Sequence, residues 1–317
     1  MRVSRYYSAI LEAGGAVGGS AAPLGGWQPC SANGGGGGML QGMTPLSPAL
    51  AAEVRRRLGL ALEAGRQAGR RTLDFFQQDA FAVERKADDS PVTIADRTAE
   101  QLLRERIAQA FPADGVVGEE FGTTPGRSDF TWILDPIDGT KSFIHGVPLY
   151  GTMIGITCQE RALAGFVYFP ALDEAIHAAV GEGAWHVRGQ HPPRRARVSA
   201  KARLAEGLFV TSQVDSFARR GAIAVYHALE AAAWVTRTWG DCYGYLLVAT
   251  GRAEVMIDPI LNVWDAAAVQ PIIEEAGGSF TDWAGRPTIQ AGEAVATNGA
   301  VLAEVLRITA PFAATPR

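Results

Sequence analysis

The run Trp132-Ile133-Leu134-Asp135-Pro136-Ile137-Asp138-Gly139-Thr140-Lys141-Ser142 constrains this chain more than any other segment. An apolar strand leads directly into two aspartates three positions apart, then into a Gly-Thr pair suited to opening a helix. Asp135 emerges at the strand end, Pro136 fixes a turn, and Asp138 is predicted to fold back beside Asp135. The amides of Gly139 and Thr140 then point outward at a helix N-terminus, a natural phosphate seat. Two carboxylates held so close repel strongly in a low-dielectric pocket, and one is expected to stay protonated. A divalent cation removes that conflict, and carboxylate oxygens with a backbone carbonyl are the donors Mg2+ prefers.

Other acids have similar settings. Gly118-Glu119-Glu120 follows a short apolar run at 116–117, so its glutamates also sit at a strand end. Trp264-Asp265 starts an apolar helical stretch, and Asp96 closes Ser90-Pro91-Val92-Thr93-Ile94-Ala95-Asp96 where a second helix opens. Taken singly, an Asp at a helix start is ordinarily a cap or a dipole partner. Glu119-Glu120 alone reads as solvated surface. Spacing by itself does not bring residues 96, 119, 135 and 265 together.

The 317 residues suggest two domains or one large one. A formal charge of −4, with 47% hydrophobic and 20% charged residues, fits an ordinary globular chain and argues against a nucleic-acid binder. No apolar run reaches the ~18 residues of a membrane span. Three scattered cysteines match neither a disulfide framework nor a zinc site, which favours a reducing cytoplasm. Residues 1–45 hold 12 of the 37 glycines and one acidic residue, Glu12. They are expected to be a disordered or mis-started extension, with a targeting peptide as the rival reading. Helices are predicted from the Ser47-Pro48 cap through residue 73 and over 95–110, followed by strands at 116–117 and 130–134 and a meander of runs at 150–157, 162–169 and 175–187. Beyond about 195, strand-like runs at 208–211, 235–238, 254–257 and 294–296 alternate with helical runs at 217–233, 243–250, 263–276 and 301–308. This predicts an α+β half over 46–192 and an α/β half over 193–312, joined at the basic segment 191–197, itself read as a solvated loop.

In this order and spacing, Gly118-Glu119-Glu120, Asp135-Pro136-Ile137-Asp138-Gly139-Thr140 and Trp264-Asp265-Ala266-Ala267 closely resemble the inositol monophosphatase family of Mg2+-dependent phosphatases. The resemblance covers about residues 50–310 and includes Lys86. It implies an αβαβα sandwich of the inositol monophosphatase/sugar phosphatase type, often a homodimer, acting on small phosphate monoesters. By the same motifs, Glu119, Asp135 and the Ile137 carbonyl would hold one Mg2+ and Asp135, Asp138 and Asp265 a second. Glu119 would share a third, weaker ion. Thr140, hydrogen-bonded to Asp96, would orient the attacking water, and the Gly139 and Thr140 amides would bind the phosphate. Such metal centres cancel phosphate charge and activate water without a covalent intermediate.

The wording around Ser142-Phe143 and Gly240-Asp241-Cys242-Tyr243-Gly244-Tyr245 is similar to the histidinol-phosphate phosphatase branch, which implies a role in histidine biosynthesis. Inositol-1-monophosphatase or a broad sugar-phosphate phosphatase is the alternative reading, and a non-catalytic metal- or phosphate-binding protein a remote one. A cationic, imidazole-bearing substrate would benefit from nearby carboxylates, and Asp241, Asp258 and Asn262 are the candidate contacts. Asp241 is equally placed to cap the following helix. Trp239, Tyr243 and Tyr245 read as core rather than a substrate platform, Cys158 and Cys242 as buried small side chains, Lys141 as a surface cation, and His145 as a surface or half-buried histidine rather than a substrate contact.

Overall fold

The computed structural model describes residues 46–78, 83–85 and 91–313. The extension 1–45 and Lys86 lie outside the described residues. Helix α1 (Pro48–Thr72) starts where the Ser47 hydroxyl accepts the Leu50 amide at 3.3 Å. Val54, Leu58, Ala61, Leu62 and Ala68 form its buried stripe. After the short antiparallel pair β1 (Val83–Arg85) and β2 (Pro91–Thr93), helix α2 (Ile94–Ala110) opens on a reciprocal cap between Thr93 and Asp96.

The first large sheet has eight strands. These are β3 (Gly115–Gly118), β4 (Gly122–Thr124), β5 (Phe130–Asp138), β6 (Gly151–Cys158), β7 (Arg161–Phe169), β8 (Glu174–Ala179), β9 (Gly183–Arg188) and β10 (Arg194–Arg195). Their order is β10-β9-β8-β7-β6-β5-β3-β4, antiparallel except for β3 beside β5. The five-residue helix α3 (Thr140–Ile144) interrupts the chain between β5 and β6.

The second sheet comprises β11 (Leu208–Thr211), β12 (Val235–Arg237), β13 (Val255–Asp258), β14 (Ser279–Thr281) and β15 (Ala294–Thr297). Its order is β12-β11-β13-β15-β14, with β12, β11 and β13 parallel. Six helices accompany it: α4 (Val214–Arg219), α5 (Ile223–Ala232), α6 (Cys242–Ala249), α7 (Val263–Ala266), α8 (Val269–Glu275) and α9 (Leu302–Thr309).

Three large apolar cores bind the five layers, and a smaller one gathers Ala95, Ile137, Phe143 and Tyr150. Leu62, Leu103, Trp132 and Phe166 join α1 and α2 to the outer face of the first sheet. Met153, Phe169, Leu246, Ile272, Met256 and Phe280 join both sheets to the helices α6 and α8 between them. Phe209, Phe217, Leu229, Trp283 and Val305 pack the second sheet against α4, α5 and α9. The architecture is the expected α+β sandwich, layered αβαβα. No helix among the described residues is long and apolar enough to cross a membrane.

Several predicted runs are subdivided. The run at 175–187 is a hairpin, because Gly181 and Gly183 take positive φ (82° and 73°) and turn the chain. The run at 217–233 breaks at Gly221, again at positive φ (76°), and the 263–276 run divides into α7 and α8. Strand β14 was not predicted. Arg194 and Arg195, read as loop, form an exposed edge strand against His186 and Trp185.

Candidate active site

The site forms where β3 and β5 end side by side. Their parallel register sets Gly118 opposite Leu134, and the Glu119 amide donates to the Leu134 carbonyl at 3.2 Å. Glu119 therefore follows β3 at the level of Asp135 in β5. On the other flank, β5 pairs with β6, Asp135 facing Met153 and Asp138 facing Gly151. Three steps along β5 thus match two along β6, a β-bulge. In a regular strand, residues three apart face opposite ways. The bulge absorbs one residue and returns Asp138 to the side of Asp135. The strand continues through the Asp-Pro-Ile-Asp segment, where the sequence predicts a turn. Pro136, without an N–H, occupies the irregular position, and its carbonyl accepts the Thr152 hydroxyl at 2.8 Å.

Asp265 arrives from the middle layer. It lies in the first turn of α7, and its Oδ2 accepts the Asn262 amide at 2.6 Å. One oxygen from each of Asp135, Asp138 and Asp265 lies within 4.8 Å of the others. Asp138 also accepts the Cys242 amide at the start of α6. Asp138 and Asp265 edge a cavity of about 480 Å³ that Glu119, Thr140, Asp241 and Asp258 also line.

Electrostatics set the character of this cavity. Burial, then the charges of Glu119, Asp138 and Asp265, pushes Asp135 well above the usual carboxylate range. Burial, with Asp241 and Asp265, does the same to Asp138. Asp265 is pushed up to about 7, by burial first and then by Glu119 and Asp258, against the Asn262 hydrogen bond. Asp135 Oδ1 is buried without a hydrogen-bond partner. An unpaired buried carboxylate oxygen among converging acids is a strongly unfavourable arrangement for the protein alone. A hard divalent cation with oxygen ligands satisfies it, so the donor set fits such an ion.

The remaining predicted residues divide. Gly139 has φ +81°, and a Cβ there would stand 2.9 Å from Asp241 Oδ2, so glycine is required for Asp241 to approach. The Thr140 hydroxyl donates to the Ile137 carbonyl at 3.0 Å, in place of the expected bond to Asp96. Asp96 instead turns its Oδ2 to the Thr93 amide (2.8 Å) and hydroxyl (2.5 Å), because it serves as the helix cap. Its Oδ1 stays buried and unpartnered, and burial, with the Glu119 charge opposing the Thr93 bonds, raises it to about 6. Asp258 has Oδ1 held by the Ser212 hydroxyl at 2.7 Å and Oδ2 by the Tyr245 hydroxyl at 2.8 Å. Asp241 stands at the N-cap of α6, but its side chain makes no capping bond. Its amide donates to Ser212 Oγ at 2.9 Å, and the residue lines the cavity; burial raises its carboxyl above the usual range, against the Ser212 side chain and the Lys141 charge. Asn262 is exposed and is not among the cavity-lining residues, because it is spent on the start of α7. Lys141 and His145 are exposed, and Lys141 donates to the Gln213 side chain.

Of two further residues at the site, the sequence favours a core role for one and gives no role to the other. Trp239, read as core, is 45% exposed and lines the cavity. Glu100, fully buried on α2, accepts the Glu120 amide at 2.8 Å and the Phe121 amide at 3.2 Å. It thereby fixes the turn that presents Glu119. A Cβ on Gly118 would stand 2.0 Å from its Oε1, which explains the glycine of the Gly-Glu-Glu motif. The i, i+4 spacing from Asp96 on one helix was the available signal for Glu100.

The model of the inositol monophosphatase family matches residues 53–311. The chain belongs to the inositol monophosphatase family. Among curated relatives, the histidinol-phosphatase of Chlorobaculum parvum is 45% identical over 245 residues, 77% of this chain and 93% of that protein. The histidinol-phosphatase of Mycobacterium tuberculosis is 37% identical, over 78% of this chain and 96% of that protein. Among solved structures, the Thermotoga maritima IMPase superposes with TM-score 0.72 at 28% identity, covering 81% of this chain and 98% of that one. Membership in this family makes the protein a phosphatase that hydrolyses phosphate monoesters.

Proposed function

We propose that this phosphatase is a Mg2+-dependent histidinol-phosphate phosphatase, converting L-histidinol phosphate and water to L-histidinol and phosphate. The observation that carries the metal dependence is the partnerless Asp135 oxygen within the Asp135, Asp138 and Asp265 cluster. The substrate rests on similarity: the histidinol-phosphatases stand at 36–45% identity, against 31% for the inositol-1-monophosphatase of Mesorhizobium japonicum. Asp241, whose carboxylate faces the same cavity, supports a cationic leaving group.

In this reading Glu119, Asp135 and the Ile137 carbonyl would hold one Mg2+, and Asp135, Asp138 and Asp265 a second. When bound, such ions neutralise phosphate charge and lower the pKa of water. The chain's own residues do the rest. Thr140 and Glu119 orient the attacking water, with Asp96 behind them, and the Gly139 and Thr140 amides hold the phosphoryl oxygens. Asp241 attracts the substrate's ammonium group. Ser212 and Tyr245 hold Asp258 behind it, so Asp258 adds negative potential rather than a free hydrogen-bond acceptor.

Steady-state kinetics on L-histidinol phosphate and myo-inositol 1-phosphate, with and without Mg2+, test the proposal. L-Histidinol phosphate should have the higher kcat/KM. A preference of more than ~10-fold for inositol phosphate, ~1.4 kcal/mol of discrimination, overturns the substrate assignment.

A further inference from the structure

Beside its acids, the cavity also carries large apolar side chains. Trp239 is 45% exposed and Ile260 50% exposed, and both line the same space as Asp138 and Asp265. Half-exposed large apolar groups beside a few convergent polar ones are the lining a ligand site presents.

Both are held there by their backbones. A Cβ on Gly240 would stand 2.1 Å from the Ser212 Cα, so the loop between β12 and α6 lies hard against β11 and its extension. Asp241 takes φ 50° and ψ −154°, a left-handed region costly for a residue with a side chain. The close approach of Gly240 and the positive φ of Asp241 send the Asp241 carboxylate toward Gly139 and leave Trp239 outside the core. Arg237 lies with its guanidinium 5.8 Å from the Trp239 ring centroid. On the facing loop, Arg220 Nη1 donates to the Pro259 carbonyl at 2.9 Å and the Leu261 amide to the Gly292 carbonyl at 3.1 Å. Ile260 sits between these two anchors.

We propose that Trp239, flanked by Ile260, is a specificity-determining residue that receives the planar heteroaromatic ring of the leaving group. The inference rests on the substrate class given above and adds a residue that recognises it. An imidazole ring gains dispersion and quadrupole attraction against the indole. A polyol ring can lay its C–H faces on the indole but has no π system to stack, and any hydroxyl turned toward Trp239 or Ile260 finds no hydrogen-bond partner there, so it gains less. Asp241 at one end and Trp239 at the side would thus read two features of one substrate: its positive charge and its flat ring.

Trp239→Leu and Trp239→Phe, both at an exposed position, should fold as wild type. L-Histidinol phosphate is compared with glycerol 2-phosphate, a monoester without a ring. In Trp239→Leu the ratio of kcat/KM values for the two should fall about 10-fold through a higher KM for L-histidinol phosphate. Trp239→Phe should keep that ratio within about 3-fold. Calorimetric affinity for L-histidinol should fall in parallel with the KM effect. An unchanged ratio in Trp239→Leu, or equal losses on both substrates, overturns the proposal. Wild-type protein that prefers myo-inositol 1-phosphate sinks the substrate reading, and this inference with it. Wild-type preference for L-histidinol phosphate with an indifferent Trp239 sinks the inference alone.

Discussion

Asp135 is the residue at which the folded chain opposes itself. It is buried, one of its oxygens has no partner, and three other acids face it. Its pKa is raised, so above pH ~4 the folded state holds a proton, or bears repulsion, that the unfolded chain does not. The penalty grows as pH rises from there. Asp135→Asn should therefore make the metal-free protein more stable at neutral pH, by about 1–3 kcal/mol, while turnover falls by orders of magnitude. Urea denaturation after chelation reads the first effect, and added Mg2+ should stabilise wild type far more than the variant. Metal-free Asp135→Asn that is no more stable than wild type would show that the acids do not repel one another.

At the scale of elements, β8 carries a second titration far from the acids. His177 is 3% exposed and its Nδ1 has no partner. Burial, helped by the Arg66 charge, pushes its pKa down to about 3. The unfolded chain takes up a proton near pH 6.5 that the fold refuses, so His177's contribution is complete above that pH. It is lost as pH falls, by up to ~1.4 kcal/mol per unit until about pH 3. Between pH 7.5 and 5.5, wild type should lose about 1.4 kcal/mol more than His177→Gln in urea denaturation. Equal losses would mean that His177 is protonated in the fold. The elements themselves were legible where one period dominates. The buried stripe of α1 and the cap of α2 lie in plain sequence. The hairpin within 175–187 was not, because its turn interrupts an apolar run without a proline or an Asn-Gly pair. The bulge in β5 was hidden for a deeper reason. Only pairing with β6 reveals that one residue is surplus, and pairing is not a local property. Trp239 was misread because an aromatic beside a helix start gives no sign that Gly240 and Asp241 will turn it outward.

On the scale of the whole molecule, the site depends on how closely the middle layer lies on the first sheet. Gly155 of β6 and Gly165 of β7 are cross-strand partners, and together they leave a gap in the inner face of the sheet. Ala267 and Ala268, between α7 and α8, fill it: a Cβ on Gly155 would stand 2.6 Å from the Ala267 Cβ, and one on Gly165 1.9 Å from the Ala268 carbonyl oxygen. Asp265 lies only two residues before Ala267, so the glycine gap sets the depth at which its carboxylate meets Asp135. This gives a physical reason for the small residues of Trp264-Asp265-Ala266-Ala267 that the sequence alone does not offer. Gly165→Ala puts a methyl group against backbone, which cannot rotate away, so the middle layer must shift outward. Overpacking of this kind should cost about 1–3 kcal/mol in urea denaturation. The same shift draws Asp265 away from Asp135 and Asp138, so divalent-ion affinity, read by calorimetry with Mn2+, should weaken together with stability. A Gly165→Ala protein that loses stability yet binds Mn2+ as wild type does would show that another contact, not the glycine gap, positions Asp265.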